Sequence, residues 1–227
     1  MRKPLSIETG KAAALFVDLQ EEHRKDSRYL VEGFDAVIAN VVRLQAAARA
    51  AGVPLVHSAY VVEVGASSTK PFHPVLADGT SAFSDAADPL TAICPEVAPI
   101  GEEALLIKAD ASSFANDEAT RLLAERRVEW LFVAGVWTEA CVAATVKDAV
   151  ELGFRVILVK DACGSGSRAM HETAILNLAN RLYGGAVTDT AGARRLLAGE
   201  TVDVWMVEGA VPMRFNYDNA ATLYREL

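Results

Sequence analysis

Short apolar runs recur along the chain and alternate with segments of helical or polar pattern. The runs are enriched in Val, Ile, Leu, Phe and Ala and are far too short to span a membrane. They are typical of strands that are buried on both faces of a parallel sheet. Six such strands are predicted, at residues 12–17, 55–62, 104–107, 130–134, 155–159 and 186–188.

Helical patterns fill much of the chain between these strands. Apolar residues recur at helical spacing from Phe34 to Val42, and Gly52 ends that helix. Asn116 is a suitable cap for another helix, which has acidic residues in its first turn and arginines in its last, as the helix dipole favours. Further helices are predicted after residue 138, over 171–183 and up to about residue 198. Strands that alternate with helices predict an α/β fold, a single three-layer α/β/α domain whose mostly parallel sheet has about six strands.

Three segments lack this alternation. Residues 21–28 are polar and charged, and we predict a loop or a solvated edge there. Residues 63–103 are rich in Ser, Pro, Gly and Asp without a sustained period, and a stretch of this length is usually a lid or a binding loop. In the tail after residue 200, apolar and polar residues alternate at first, and the pattern then becomes helical. We therefore predict a domain over residues 1–200 and a C-terminal extension over 201–227 that packs on the domain or on a neighbouring subunit.

Composition and charge exclude several classes of protein. The chain has 227 residues, of which 52% are apolar, so intrinsic disorder is excluded. A net charge of −8 without a basic cluster argues against a nucleic-acid partner. Three scattered cysteines suit a reducing compartment. The first apolar run ends at Asp18, too early for a signal peptide. We expect a cytoplasmic protein that makes no membrane contact.

Three residues with the chemistry of a nucleophile, a base and a cation follow predicted strands. Asp18 follows the first strand, Lys108 the third, and Cys141 comes shortly after the fourth. Ligands of open parallel sheets bind beyond the carboxyl ends of the strands. Alone, an Asp or a Lys at a strand end is more often a solvated terminus, and the cysteine is equally typical of a small core residue. Together they form a set that suits acyl transfer.

The local sequence around Cys141 strengthens this interpretation. Gly135 ends the buried strand, and Thr138 is a suitable cap for a helix whose first turn holds the cysteine. The positive end of a helix favours thiolate over thiol, and so does a nearby Lys108. We therefore predict a lowered pKa for Cys141.

Three segments resemble the signature segments of the isochorismatase-like cysteine hydrolases. They are V-D-L-Q at residues 17–20, I-K-A-D-A-S-S-F at 107–114 and G-V-W-T-E-A-C-V at 135–142. The resemblance extends from the first predicted strand to about Ala198. It implies an isochorismatase-like fold and places the chain near the amidohydrolase branch, which includes carbamoyl-amide hydrolases.

The resemblance also implies roles for the three residues. Asp18 is the base that takes the proton of Cys141, the thiolate attacks an amide carbonyl, and a thioester forms. Lys108 holds Asp18 ionised and oriented. The backbone N–H groups of Trp137 and Cys141 form an oxyanion hole. A cis peptide bond between Val136 and Trp137 is implied as well.

The same resemblance suggests a substrate pocket that includes Gln20, Phe114 and Trp137. The position before Thr138 is often small in the family. The bulk of Trp137 either narrows the pocket or packs against the long loop, and the sequence leaves both open.

Two histidines decide whether a metal is expected. Nicotinamidases of the family bind a metal through an Asp-x-His motif after the second strand. Here His57 is followed by Ser58-Ala59-Tyr60, and only His73 lies in the loop beyond. Two isolated histidines make a poor site, so we predict no metal and no cofactor, and nicotinamide is disfavoured as a substrate.

Several rival features compete with this assignment. Residues 164–169 match the dinucleotide pattern G-x-G-x-x-A with Asp189 beyond, but they follow the fifth strand, whereas that fingerprint follows the first. Cys163 is a rival thiol at a strand end. Three basic side chains could meet a substrate carboxylate, although a solvated face is the more usual explanation of each: Arg24, Lys25 and Arg168.

The sequence thus predicts a cysteine-dependent hydrolase that cleaves a C–N bond of a small linear amide, ureido or carbamoyl compound. Its partner is a small-molecule amide, and we expect a homo-oligomer. One alternative is an isochorismatase-type vinyl ether hydrolase, which would use Asp18 as an acid and leave Cys141 unexplained. Another is a catalytically silent binding domain on the same fold.

Overall fold

The computed structural model describes residues 1–209 and 212–227. Its strands are β1 (Arg2–Leu5), β2 (Ala12–Val17), β3 (Leu55–Tyr60), β4 (Ala104–Lys108), β5 (Trp130–Val136), β6 (Arg155–Gly164), β7 (Ala186–Thr188) and β8 (Val202–Trp205). They form one sheet in the order β1-β8-β7-β6-β5-β2-β3-β4. The strands from β2 to β7 pair in parallel, whereas β8 is antiparallel to both β1 and β7.

Helices cover both faces of this sheet. They are α1 (Glu22–Lys25), α2 (Phe34–Ala50), α3 (Asp117–Glu125), α4 (Ala143–Glu151), α5 (Arg168–Ala179), α6 (Thr190–Leu197) and α7 (Ala220–Glu226). A π-helical turn, Thr138–Val142, leads into α4. Helices α2 and α6 pack into the core on one face, and α3, α4 and α5 pack into the core on the other. The predicted three-layer α/β/α fold is confirmed.

Strand β2 shows why the continuous apolar runs become central strands. All six of its residues are buried. Phe16 faces the α2 and α6 layer, and its neighbours Leu15 and Val17 face the opposite layer. Full burial of a side chain of this size contributes about 1.5–3 kcal/mol, so a polar residue at any of these positions would be costly.

The sheet has eight strands rather than about six. The six predicted strands are β2 to β7, and β1 and β8 were missed. Both missed strands have only four residues, and half or more of the residues of β1 retain solvent contact. Such short antiparallel strands lack the continuous apolar run by which buried parallel strands are recognised.

The C-terminal extension packs on its own chain. Its strand β8 pairs with β1 and β7, and its helix α7 lies against α5. The Nζ of Lys160 donates to the backbone oxygen of Tyr224 at 2.9 Å, and the Tyr224 hydroxyl lies 3.0 Å from Nε2 of His171. The terminal Leu227 is buried. The domain boundary at residue 200 stays a prediction.

The two segments without periodic pattern differ from each other. Residues 63–103 contain no β-strand or α-helix of the sheet architecture, only the short 3-10 turns Pro89–Thr91 and Pro95–Val97. Residues 21–28 were expected to be a loop or a solvated edge, and that expectation is wrong. The segment contains the short helix α1, and Glu22 and His23 are buried. None of the helices in the described ranges combines the length and the apolarity that a membrane crossing needs.

The strand order fixes where a ligand can bind. The chain leaves β2 towards β3 on one side, and it leaves β5 towards β6 on the other, although β2 and β5 are neighbours. The connections therefore diverge at the carboxyl ends of these two strands and leave a crevice there. Asp18 follows β2 and the turn that carries Cys141 follows β5, so both residues lie at this crevice.

Candidate active site

Asp18 and Lys108 form a buried ion pair at the carboxyl end of the sheet. Lys108 ends β4, and its Nζ lies 2.6 Å from Oδ2 of Asp18, with each side chain less than 5% exposed. The same Nζ donates to the carbonyl oxygens of Asp110 and Ala111 at 3.0 and 3.2 Å, so its three protons are used. Asp18 has a left-handed backbone, with φ of 52°. Asp tolerates this backbone conformation better than most residues do. The contacts of Lys108 hold the ion pair in one geometry.

A chain of hydroxyl groups links Asp18 to the helix that carries the cysteine. Ser58 on β3 donates to Oδ1 of Asp18 at 2.9 Å, and Ser113 donates to Ser58 at 3.1 Å. Thr145 on α4 donates to Ser113 at 3.3 Å and accepts the Ser113 backbone N–H at 3.0 Å. Both carboxylate oxygens of Asp18 therefore have partners. Ser58 and Thr145 are site residues that were not predicted from the sequence.

The turn between β5 and α4 begins at a glycine that no other residue can replace. Gly135 has φ of 133°, and a Cβ at this position would lie 2.1 Å from the carbonyl oxygen of Val17. The following peptide bond, Val136–Trp137, is cis, as predicted. The Trp137 carbonyl accepts the N–H groups of Ala140 and Val142 at 3.0 and 3.2 Å.

Thr138 does not cap the helix, contrary to the prediction. Its hydroxyl donates to the carbonyl oxygen of Gly164 at 2.8 Å and lies 2.8 Å from Nδ1 of His171. Since that hydroxyl proton is already used, Nδ1 must be the donor, and Nε2 of His171 accepts from the Tyr224 hydroxyl. Thr138 therefore ties the turn to β6 and, through His171, to the C-terminal helix α7.

The prediction of a lowered pKa for Cys141 is wrong. Burial and the charge of Asp18 raise the pKa of the thiol to about 12, and Lys108 opposes this only in part. The helix-end effect was overestimated because residues 138–142 form a π-helical turn rather than a regular helix start, and because the burial of the thiol itself opposes ionisation. Cys141 rests as a thiol, and it needs a base next to it.

Alkylation tests this view of the three thiols. Iodoacetamide should label Cys141 first, because Cys141 is partly exposed whereas Cys94 and Cys163 are buried. The rate at Cys141 should rise about ten-fold per pH unit between pH 7 and 9, since only the thiolate reacts and its pKa lies far above this range. Peptide mapping after brief labelling measures both. Faster labelling of Cys163, or a rate that levels off below pH 8, would contradict the assignment.

A cavity of about 410 Å³ opens beside the thiol. Asp18, Cys141 and Trp137 line it, together with residues from the segment after β2 and from the long loop. This size suits a small molecule. Of the loop 63–103, only Phe83 and Ser84 reach the cavity, so most of that loop lies outside the wall.

Of the three residues predicted for the substrate pocket, two line the cavity and one does not. Trp137 and Gln20 line the cavity. The amide of Gln20 is occupied, because its Nε2 donates to the carbonyl oxygens of Tyr60 and Thr91 and its Oε1 accepts the Tyr60 N–H. Phe114 is not a pocket residue, and here the prediction is corrected. It packs in the core with its ring 5.7 Å from that of Phe154.

The glycine-rich segment after β6 makes room for Trp137. A Cβ at Gly166 would lie 2.5 Å from a ring carbon of Trp137, and one at Gly164 would lie 2.7 Å from Val31. The indole is thus wedged against this segment, and its Nε1 donates to Nδ1 of His23 at 3.2 Å. Close packing explains the glycines without a dinucleotide.

The two histidines considered for a metal lie apart from the catalytic pair. His57 is buried, with Nε2 3.1 Å from Oε2 of Glu103. His73 sits in the long loop, 2.6 Å from the Ser81 hydroxyl. Among the described residues, one group of three side chains could approach an ion, Glu21 with Cys94 and Glu96. Arg24 binds both of those carboxylates, so the group is already neutralised. The expectation of a metal-free site stays a prediction.

The remaining rivals do not reach the cavity. Cys163 is 3% exposed, and burial raises its pKa to about 12. The basic residues that were considered for a substrate carboxylate are paired with acids: Arg24 with Glu21 and Glu96, Lys25 with Glu21, and Arg168 with Glu172.

Comparison with known proteins agrees with this architecture. The isochorismatase domain family matches residues 12–192. A maleamate amidohydrolase of Pseudomonas putida is 35% identical over 114 residues, which cover 49% of this chain and only 53% of that protein. The ureidoacrylate amidohydrolase RutB of Azorhizobium caulinodans is 27% identical over 86% of this chain and 94% of its own. A cysteine hydrolase from Pseudomonas syringae superposes with a TM-score of 0.76 at 24% identity, over 87% of this chain and 99% of that structure.

Proposed function

The chain belongs to the isochorismatase family, and we propose that it is an amidohydrolase that cleaves a C–N bond of a small amide or ureido compound through a thioester on Cys141. The relatives named above are amidohydrolases, which supports the reaction class. The observation that carries the mechanism is that Asp18 and Cys141 line one cavity while Lys108 is paired with Asp18, although the three residues are far apart in sequence.

The first half of the reaction makes the thioester. Asp18 accepts the thiol proton while the sulfur attacks the carbonyl carbon, because a thiol with a pKa of about 12 is not ionised beforehand. The N–H groups of Trp137 and Cys141 hold the developing oxyanion, and one such donor is worth about 100- to 1,000-fold in rate. The C–N bond then breaks, and the proton on Asp18 passes to the leaving nitrogen.

The second half removes the acyl group. Water enters, gives a proton to Asp18 and attacks the thioester carbonyl. The C–S bond breaks, the proton on Asp18 returns to the sulfur, and the acyl group leaves as a carboxylic or carbamic acid that gives its remaining proton to the solvent. Lys108 keeps the carboxylate in place in both halves through its 2.6 Å contact. The hydroxyl chain from Thr145 to Ser58 fixes the other carboxylate oxygen.

Vinyl ether hydrolysis is the less favoured reaction on this site. It requires Asp18 to act as an acid that gives a proton to the substrate carbon. An ion pair with Lys108 stabilises the ionised carboxylate instead, and the thiol would have no task.

An ammonia-release screen tests the proposal. Simple carboxamides, ureido compounds and carbamoyl compounds are incubated with the enzyme, and isochorismate is run beside them with pyruvate as the readout. Release of ammonia, together with trapping of an acyl group on Cys141 by acid quench and mass spectrometry, is the expected result. Turnover of isochorismate alone would replace the amidohydrolase assignment with the vinyl ether one.

Activity should survive exhaustive chelation. The carbonyl is polarised by backbone N–H groups in this mechanism, so no cation is required. Ammonia release is measured before and after dialysis against EDTA, with and without added zinc or manganese. Loss of activity that a metal restores would show that the site uses ligands not assigned above.

A further inference from the structure

The cavity beside Cys141 has a wall of aromatic side chains that pack on one another. Phe83 is at the centre of one group, with ring centroids 5.6 Å from Tyr29 and 5.7 Å from Tyr60. His23 and Trp137 form a second group, with ring centroids 6.3 Å apart. A substrate that enters this cavity therefore meets mostly aromatic and apolar surface.

One acidic side chain in this wall has no basic partner. Glu22 is buried, and its two oxygens accept the backbone N–H of Ser84 at 2.9 Å and the Ser84 hydroxyl at 2.6 Å. The nearest basic group in the described part of the chain is His23, whose Nε2 is 3.9 Å from Oε1. The Trp137 indole can only donate, so Nδ1 of His23 accepts, and burial lowers the pKa of His23. Burial therefore disfavours a positive charge on this ring.

The cations near the cavity are already neutralised. Lys108 is paired with Asp18. Arg28 lines the cavity where it meets solvent, and Asp26 binds it through two parallel contacts, Nε to Oδ1 at 3.0 Å and Nη2 to Oδ2 at 2.6 Å. The carboxylate of Asp26 thus balances the charge of Arg28. With Glu22 added, the charges around the cavity sum to a net negative value.

We propose that the substrate of this site is an amide or urea on an aliphatic or aromatic body without a negative charge, and that carboxylate-bearing amides are disfavoured by the aromatic wall, by Glu22 and by the Arg28–Asp26 pair. This inference rests on the proposed amidohydrolase function. The proposed function concerns whether the protein hydrolyses amides, whereas this inference concerns which amides it hydrolyses.

Matched pairs of substrates test it. Pentanamide is compared with succinamate, and butylurea with 3-ureidopropionate, so that each pair has a similar length and differs in one carboxylate. We expect kcat/KM to be higher for the neutral member by about ten-fold or more, since the net negative charge around the cavity repels the carboxylate of the anionic member. Faster turnover of the anionic members would overturn the inference and leave the amidohydrolase function standing. Turnover of neither member would instead count against the proposed function.

A variant of Asp26 tests the part that involves Arg28. Asp26→Asn removes the charge that neutralises Arg28 and keeps the side chain's shape. We expect the ratio of kcat/KM for succinamate to that for pentanamide to rise about five-fold or more, because the freed guanidinium then attracts the carboxylate. Asp203→Asn on β8 loses the same charge at an exposed position far from the cavity and should leave the ratio unchanged. An unchanged ratio in Asp26→Asn would remove Arg28 and Asp26 from the explanation.

Discussion

Replacing Cys141 by alanine is expected to reduce kcat on the best amide substrate at least about 10,000-fold, because removal of the nucleophile from a covalent mechanism usually costs several orders of magnitude. The variant should fold normally, since the thiol is partly exposed at a cavity and leaves no void in the core. Ammonia release measures the loss, and urea unfolding checks the fold.

Cys163→Ala is the matched control for this variant. Its thiol is buried in the core on the α3–α5 side of the sheet and does not line the cavity. It should lose stability on the order of 1 kcal/mol and retain its kcat. If Cys141→Ala retained full activity while acid quench trapped no acyl-enzyme, hydrolysis would have to proceed by direct attack of water, and the role given to the thiol would be wrong.

The sequence was sufficient for the elements that are buried on both faces. Strands β2, β3, β5, β6 and β7 are apolar runs because helices cover both of their faces, and this pattern is local. The edge strand β4 was recognised by the same pattern although Leu105 and Ile107 are exposed. Strand β1 was missed because it has only four residues and its partner β8 lies about 200 residues away along the chain. The alternation in the tail was the local trace of β8, but it did not reveal the antiparallel pairing with β1 and β7.

The active-site residues divide in the same way. Asp18, Lys108 and Cys141 were recognisable because each follows a strand, and a parallel sheet brings such positions to one edge. Ser58 was missed because its contact with Asp18 depends on the register between β2 and β3. Phe114 was misplaced because a phenylalanine beside a catalytic segment has the same sequence signature whether it faces the pocket or the core.

The pocket wall was the least predictable part. Glu22 and Arg28 lie in a polar segment that resembles a solvated edge in sequence. The segment becomes a wall because Ser84, more than 60 positions later, folds back onto Glu22. The predicted lowering of the Cys141 pKa was wrong for a related reason. A helix start is visible in the sequence, but the burial that outweighs it is a property of the whole fold.

The buried pair of Asp18 and Lys108 should show the other large effect. Lys108→Met leaves the carboxylate buried without its cation, which typically destabilises a protein by about 3–5 kcal/mol. Asp18→Asn removes the general base, and we expect kcat to fall by about 1,000-fold or more. Urea unfolding and ammonia release are measured on each variant. A Lys108→Met protein with normal stability and activity would contradict the pairing.

The double variant Asp18→Asn with Lys108→Met separates the two roles of this pair. Removing both charges leaves neither group uncompensated, so the free energy of unfolding should recover by about 2 kcal/mol or more relative to Lys108→Met alone. Activity should not recover, because the base is still absent. The expected signature is therefore strong coupling in stability beside a kcat no higher than that of Asp18→Asn. If instead the destabilisations of the two single variants simply added, the carboxylate and the ammonium would not depend on each other, and Lys108 would lose the orienting role that the mechanism assigns to it.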